Sequence, residues 1–106
     1  MHNLVVQIVR FVDSGFPGWV ECELVDAAGR LHCFKDKVPI FTVEDLDADS
    51  KYPTPGFVAC EVVKRFQTEK GEELVLVSTV NPFGIESTEG LSEFTVSGTA
   101  VTSNRG

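Results

Sequence analysis

Little in this sequence offers a metal-binding or catalytic framework. It has only two histidines, His2 and His32, and its three cysteines, Cys22, Cys33 and Cys60, show no Cys-x-x-Cys spacing. A structural zinc site wants closely spaced thiolate and imidazole pairs, so no metal is expected. The odd cysteine count rules out a complete intrachain disulfide framework and suits a reducing compartment. Basic residues are also scarce: nine Lys and Arg stand against sixteen Asp and Glu, for a formal charge of −7. That balance argues against gripping a phosphate backbone, and no nucleic-acid partner is expected. Lys64-Arg65 is the only adjacent basic pair, and neighbouring strand residues point to opposite faces.

Long apolar runs are missing too. The run Leu4–Val12 is broken by Gln7 and Arg10, well short of the roughly 18 residues that span a bilayer. No charged leader or small-residue cleavage site frames it, so the expectation is a soluble, cytoplasmic protein with no membrane partner. The phosphate-cradling Gly-x-x-x-x-Gly-Lys, the Gly-x-Ser-x-Gly elbow and the dinucleotide fingerprint are all absent. No cofactor is implied, and the balance leans away from an enzyme.

What the chain does have is short β-branched runs punctuated by Gly, Pro and Asp, an all-β pattern. Its 106 residues support one domain, 1–106, with a frayed tail over about 102–106. Leu4–Val12 is apolar on both faces, which suits a central or strongly curved strand. Trp19–Val25 and Leu31–Lys35 form a hairpin around Asp26-Ala27-Ala28-Gly29-Arg30, with Gly29 in the left-handed position. Val38–Phe41 reads as a short edge strand because Pro39 cannot donate to a ladder. Thr42-Val43-Glu44-Asp45 matches a capping box, predicting one short helix near 43–48. Residues 52–56 should be irregular. Phe57–Gln67 and Glu73–Val80 make a second hairpin, Ile85–Thr88 a weak strand, and Glu93–Val101 the last strand with a bulge at Gly98.

The fold expected is therefore a six- or seven-stranded, mostly antiparallel barrel or sandwich with at most one short helix. An OB-like Greek key, with 42–55 as its long connector, is compatible with that count. The first turn also sets a register. Asp26 opposite Arg30 pairs Val25 with Leu31, Leu24 with His32, Glu23 with Cys33, Cys22 with Phe34 and Glu21 with Lys35. Val20, Cys22, Leu24, His32 and Phe34 then face the core, and Glu21–Lys35 is an ion pair on the wet face. Cys22 and Cys33 point to opposite faces and cannot bridge.

Two groups of residues bear on function. Phe16, Trp19, Tyr52 and Phe83 lie in or beside Pro- and Gly-rich loops, where they either plug the barrel ends or form an apolar patch for a partner. The acids Glu44, Asp45, Asp47 and Asp49 are the densest charge in the chain. They imitate the start of a calcium loop, but Ser50 and Gly56 stand where Gly and Glu are required. The reading adopted is a small acidic β-barrel that acts as a protein-binding or interaction module. It binds another protein, or itself, through those loop aromatics or through the edge strand near Val38–Phe41, and its acidity steers it to a basic partner. The alternative is a small-ligand-binding protein or enzyme that uses a barrel pocket near His32 and Cys22.

Overall fold

The computed structural model describes residues 1–103. It is mostly antiparallel sheet: β1 (His2–Asp13), β2 (Trp19–Val25), β3 (Leu31–Lys37), β4 (Thr54–Gln67), β5 (Glu73–Ser78), β6 (Glu93–Ser97) and β7 (Val101–Thr102). One helical turn, α1 (Val38–Phe41), follows β3. The strand order is β3-β2-β1-β4-β5-β6, with β7 added to β1.

Two long strands curl this sheet into a half-barrel. β1 pairs with β4 through His2–Ile8 and with β2 from Gln7 to Asp13, with register shifts after Ile8 and Phe11. β4 gives its first half, Thr54–Cys60, to β1 and its second half, from Glu61, to β5. Bulges raise the local twist, so each long strand bends where it changes partner. The ends are then drawn together. Ala27 N–H donates to Thr95 O (2.9 Å) and Thr88 N–H to Cys33 O (2.8 Å), laying the first hairpin against β6 and the loop before it.

Inside, alternate residues of every strand meet: Leu4, Val6 and Ile8, then Val20, Cys22 and Leu24, then Val75, Val77, Phe94 and Val96. The register set by the first turn holds pair for pair, from Val25–Leu31 to Glu21–Lys35. Gly29 has φ +82°, as that turn needs. The wet-face ion pair differs: Glu21 binds Arg10 Nε of β1 at 3.0 Å in place of Lys35.

Several segments depart from the sequence expectation. Val38–Phe41 is helical, not an edge strand. Val38 and Phe41, three apart, are both buried, and Pro39 sits in the first turn, where its missing N–H breaks no bond. No helix covers 43–48. There Thr42 Oγ1 accepts from Glu44 N–H and Asp47 Oδ1 from Asp49 N–H, local bonds that compete with a helical ladder. Residues 54–56, expected to be irregular, open β4. Ile85–Thr88 is not a strand, and β5 stops at Ser78. The last strand ends at Ser97; Gly98–Ala100 is a 3₁₀ turn that hands the chain to β7. Thr102, expected to fray, is paired with Asn3, and residues 104–106 of the expected tail lie outside the described residues.

Gly56 shows how closely β1, α1 and β4 approach. A Cβ there would lie 2.7 Å from Ile8 Cγ1 and 3.4 Å from Phe41 Cβ, both fully buried side chains. Gly56→Ala is expected to destabilise the fold by about 1–3 kcal/mol through overpacking. Urea unfolding checks this; a loss under a few tenths of a kcal/mol would mean that Ile8 swings aside freely.

Candidate functional site

The loop Ser14–Gly18 caps one end of the half-barrel and meets the 42–49 segment there. Gly18 has φ +92°, and a Cβ on it would lie 2.9 Å from the Phe11 ring, so the loop folds tightly over β1. Its carbonyl accepts from Val38 N–H (3.0 Å), which fixes α1 beside it. Phe16, at the tip before a cis Pro17, is 100% exposed. Val43 across the cleft is 89% exposed. Tyr52 packs against the core, and its hydroxyl donates to Asp47 O at 2.7 Å, tying down the acidic segment. Burial, and then the Asp47 charge, push its phenol up from the ordinary value. Asp47 Oδ1 also accepts from the Ser50 hydroxyl.

A cleft of about 460 Å³ runs between the Phe16 tip and α1, and another of about 370 Å³ lies on the Phe11 side. Phe16, Pro17 and Leu46 line both. Glu44 and Asp45 stand on the wall of the first, Asp47 and Asp49 on the wall of the second. Neither 13–18 nor 38–50 contains a Lys or Arg. Among the described residues, no three His, Cys, Asp or Glu side chains converge closely enough to hold a metal ion.

The four loop aromatics are not gathered into one patch. Trp19 begins β2, half-buried and paired with Asp13 and Lys37, so it flanks the Phe16 loop. Tyr52 serves as an anchor. Phe83, 55% exposed, belongs to the 81–84 turn beside the start of β1, with the length of that strand between it and Phe16. Sequence reasoning missed Val43, Leu46 and Pro17, because nothing in their local pattern marks which apolar residues line a cleft.

No match to a family model, a curated protein or a solved structure is found for this chain.

His32 and Cys22 share the core face, as the register requires, but His32 is 4% exposed and Cys22 is fully buried. His32 Nε2 donates to Asp26 Oδ2 at 2.8 Å, and its ring stands edge-on to Phe94, centroids 4.9 Å apart. Nδ1 is buried without a partner. A cleft of about 390 Å³ lies at the far mouth of the half-barrel, where His2 and Cys60 face each other across β1 and β4.

All three thiols are free. Burial, reinforced by the Glu21 charge, pushes Cys22 up to about 12, and burial alone pushes Cys60 up to about 11. Cys33 is half-buried on the outer face, and burial together with Glu21 and Glu23 raises its pKa as well. With a disulfide reagent at about pH 8, close to the ordinary thiol value of about 8.5, one thiol should react in the folded protein and three in denaturant. Cys33→Ser should remove the native reaction; persistence of that reaction would show that Cys22 or Cys60 opens to solvent.

Proposed function

We propose that the protein is an interaction module that docks a basic partner protein on the loop end formed by Ser14–Gly18 and residues 42–49. One observation carries this: Phe16 is wholly exposed between two clefts whose loops hold carboxylates and no cation. An exposed phenylalanine adds nothing to the core, while aromatic anchors bordered by charge dominate binding at protein interfaces. The surrounding acids favour encounter with a positively charged surface. We also place the protein in the cytoplasm, where three unpaired thiols persist.

Phe16→Ala should leave stability within about 0.5 kcal/mol of wild type, as for surface substitutions generally, while weakening partner binding at least about tenfold. The test is a photo-crosslinking residue placed at position 16 in the source cells, with the exposed position 63 on β4 as the control. A discrete adduct formed from position 16 and not from 63, and lost when salt is raised, is the expected result. The same adducts from both positions would remove the Phe16 surface from consideration.

A further inference from the structure

We infer that the Phe16–Pro17 tip is a ridge between two seats for basic side chains, and that the partner presents an extended segment with Arg or Lys on either side of that ridge. This rests on the docking reading above and specifies its ligand. Each cleft pairs an apolar wall with carboxylates. Val38, Pro39 and Val43 stand with Glu44 and Asp45 on one side; Phe11 and Ala48 stand with Asp49 on the other. Asp47 is spoken for, since its Oδ1 accepts from Asp49 N–H and the Ser50 hydroxyl. Among the described residues, the carboxylates of Glu44, Asp45 and Asp49 have no hydrogen-bond or ion-pair partner, and all three are exposed.

Long basic side chains match such walls. Their methylene stems lie along apolar surface while the charged head reaches a carboxylate, and a cation beside the Phe16 ring gains from its π face. Alternate residues of an extended segment point the same way, roughly 6.6 Å apart, so an Arg-x-Arg pattern straddles a single side-chain ridge. The charge within the two loops is all of one sign, which disfavours an acidic or neutral segment in the same place.

The experiment is a titration of the ¹⁵N-labelled full chain with three unstructured peptides that carry Arg-x-Arg, Arg-x-Ala or Glu-x-Glu in the same flanks. Expected are amide shifts confined to 13–18 and 42–49, with Arg-x-Arg at least about threefold tighter than Arg-x-Ala and Glu-x-Glu silent. The double variant Glu44→Gln/Asp45→Asn and the single variant Asp49→Asn should each weaken Arg-x-Arg about two- to fivefold, while Glu72→Gln, remote from the clefts, should not. Equal affinity for Arg-x-Arg and Arg-x-Ala, or no response to either acid variant, would overturn the two-seat inference; sensitivity to Phe16→Ala would then still support the docking surface. If Phe16→Ala also leaves every affinity unchanged, the docking reading fails as well. Self-association of the peptide-free protein that Phe16→Ala abolishes would identify a second copy as the occupant and overturn the basic segment.

Discussion

Phe41→Ala should lower the unfolding free energy by about 3–5 kcal/mol, a large share of the roughly 5–15 kcal/mol that holds a small domain together. Phe41 is fully buried, and with Val38 it is the apolar foot of a single helical turn. A turn of four residues has no stability of its own, since helix nucleation is unfavourable and only packing offsets it. Phe41 Cβ and the Ile8 side chain both crowd Gly56, and a β1 strand held on both sides by β2 and β4 cannot relax into the space that the ring vacates. The consequence reaches the candidate site, because α1 carries Val38 and Pro39 on the cleft wall and holds Gly18 through the Val38 N–H. Phe41→Leu, which keeps most of the volume, should cost under about 1.5 kcal/mol. Chemical denaturation of both variants decides it: a Phe41→Ala loss below about 1 kcal/mol would mean that α1 is not packed as described.

Asp26→Ala should cost about 1.5–4.5 kcal/mol, the sum of three hydrogen bonds at about 0.5–1.5 kcal/mol each. Asp26 Oδ1 accepts from Ala28 N–H and Arg30 N–H, both at 2.9 Å, and Oδ2 from His32 Nε2. Its loss opens the turn and leaves the buried His32 ring without a partner on either nitrogen. The same turn holds the half-barrel together, through Ala27 N–H on Thr95 O and through Arg30 on Glu89 at 3.0 Å. The His32 hydrogen bond, with help from the two turn amides, holds the Asp26 carboxyl below the usual Asp value. A carboxyl depressed in the folded state stabilises it at every pH above the unfolded value of about 3.9. That contribution drains away as the pH falls through the lower folded value. The stability gap between wild type and Asp26→Ala should therefore be full at neutral pH and close below about pH 3.9. A gap that widens in acid would contradict the hydrogen-bonded, ionised carboxylate. Asp26→Asn separates the two roles, since an amide oxygen still serves the turn while its NH₂ cannot accept from Nε2–H.

Much of the fold was legible because strand alternation and turn chemistry are local. Gly29 and Asp26 dictate the first hairpin, and the two-residue period then assigns Cys22, His32 and Phe34 to the core without any long-range information. The doubly apolar Leu4–Val12 run likewise announced a central strand, and β1 is flanked by β2, β4 and β7. The errors cluster where local rules compete. Pro39 is equally at home on a sheet edge and in a first helical turn, and the burial of Val38 and Phe41 decided for the turn. The capping-box pattern at 42–45 gave way to side-chain bonds from Thr42 and Asp47, with Tyr52 anchoring the loop from outside it. Within the candidate site, Phe16 was legible as a loop aromatic, but its full exposure was not.

From the sequence alone come the scarcity of metal and catalytic frameworks, the acidic charge, the all-β class, the register of the first hairpin and the separation of Cys22 from Cys33. Each depends on residue counts or on neighbours a few positions apart. Only the tertiary structure decides that Tyr52 is tied to Asp47 while Phe16 stands free, and that Phe83 lies at the other end of β1. It also decides that the cation-free acids of 42–49 lie across a cleft from Phe16, some thirty residues away along the chain. The reason is physical: whether an apolar loop residue is buried depends on what distant segment arrives to cover it, and that is a property of the curled sheet, not of the loop.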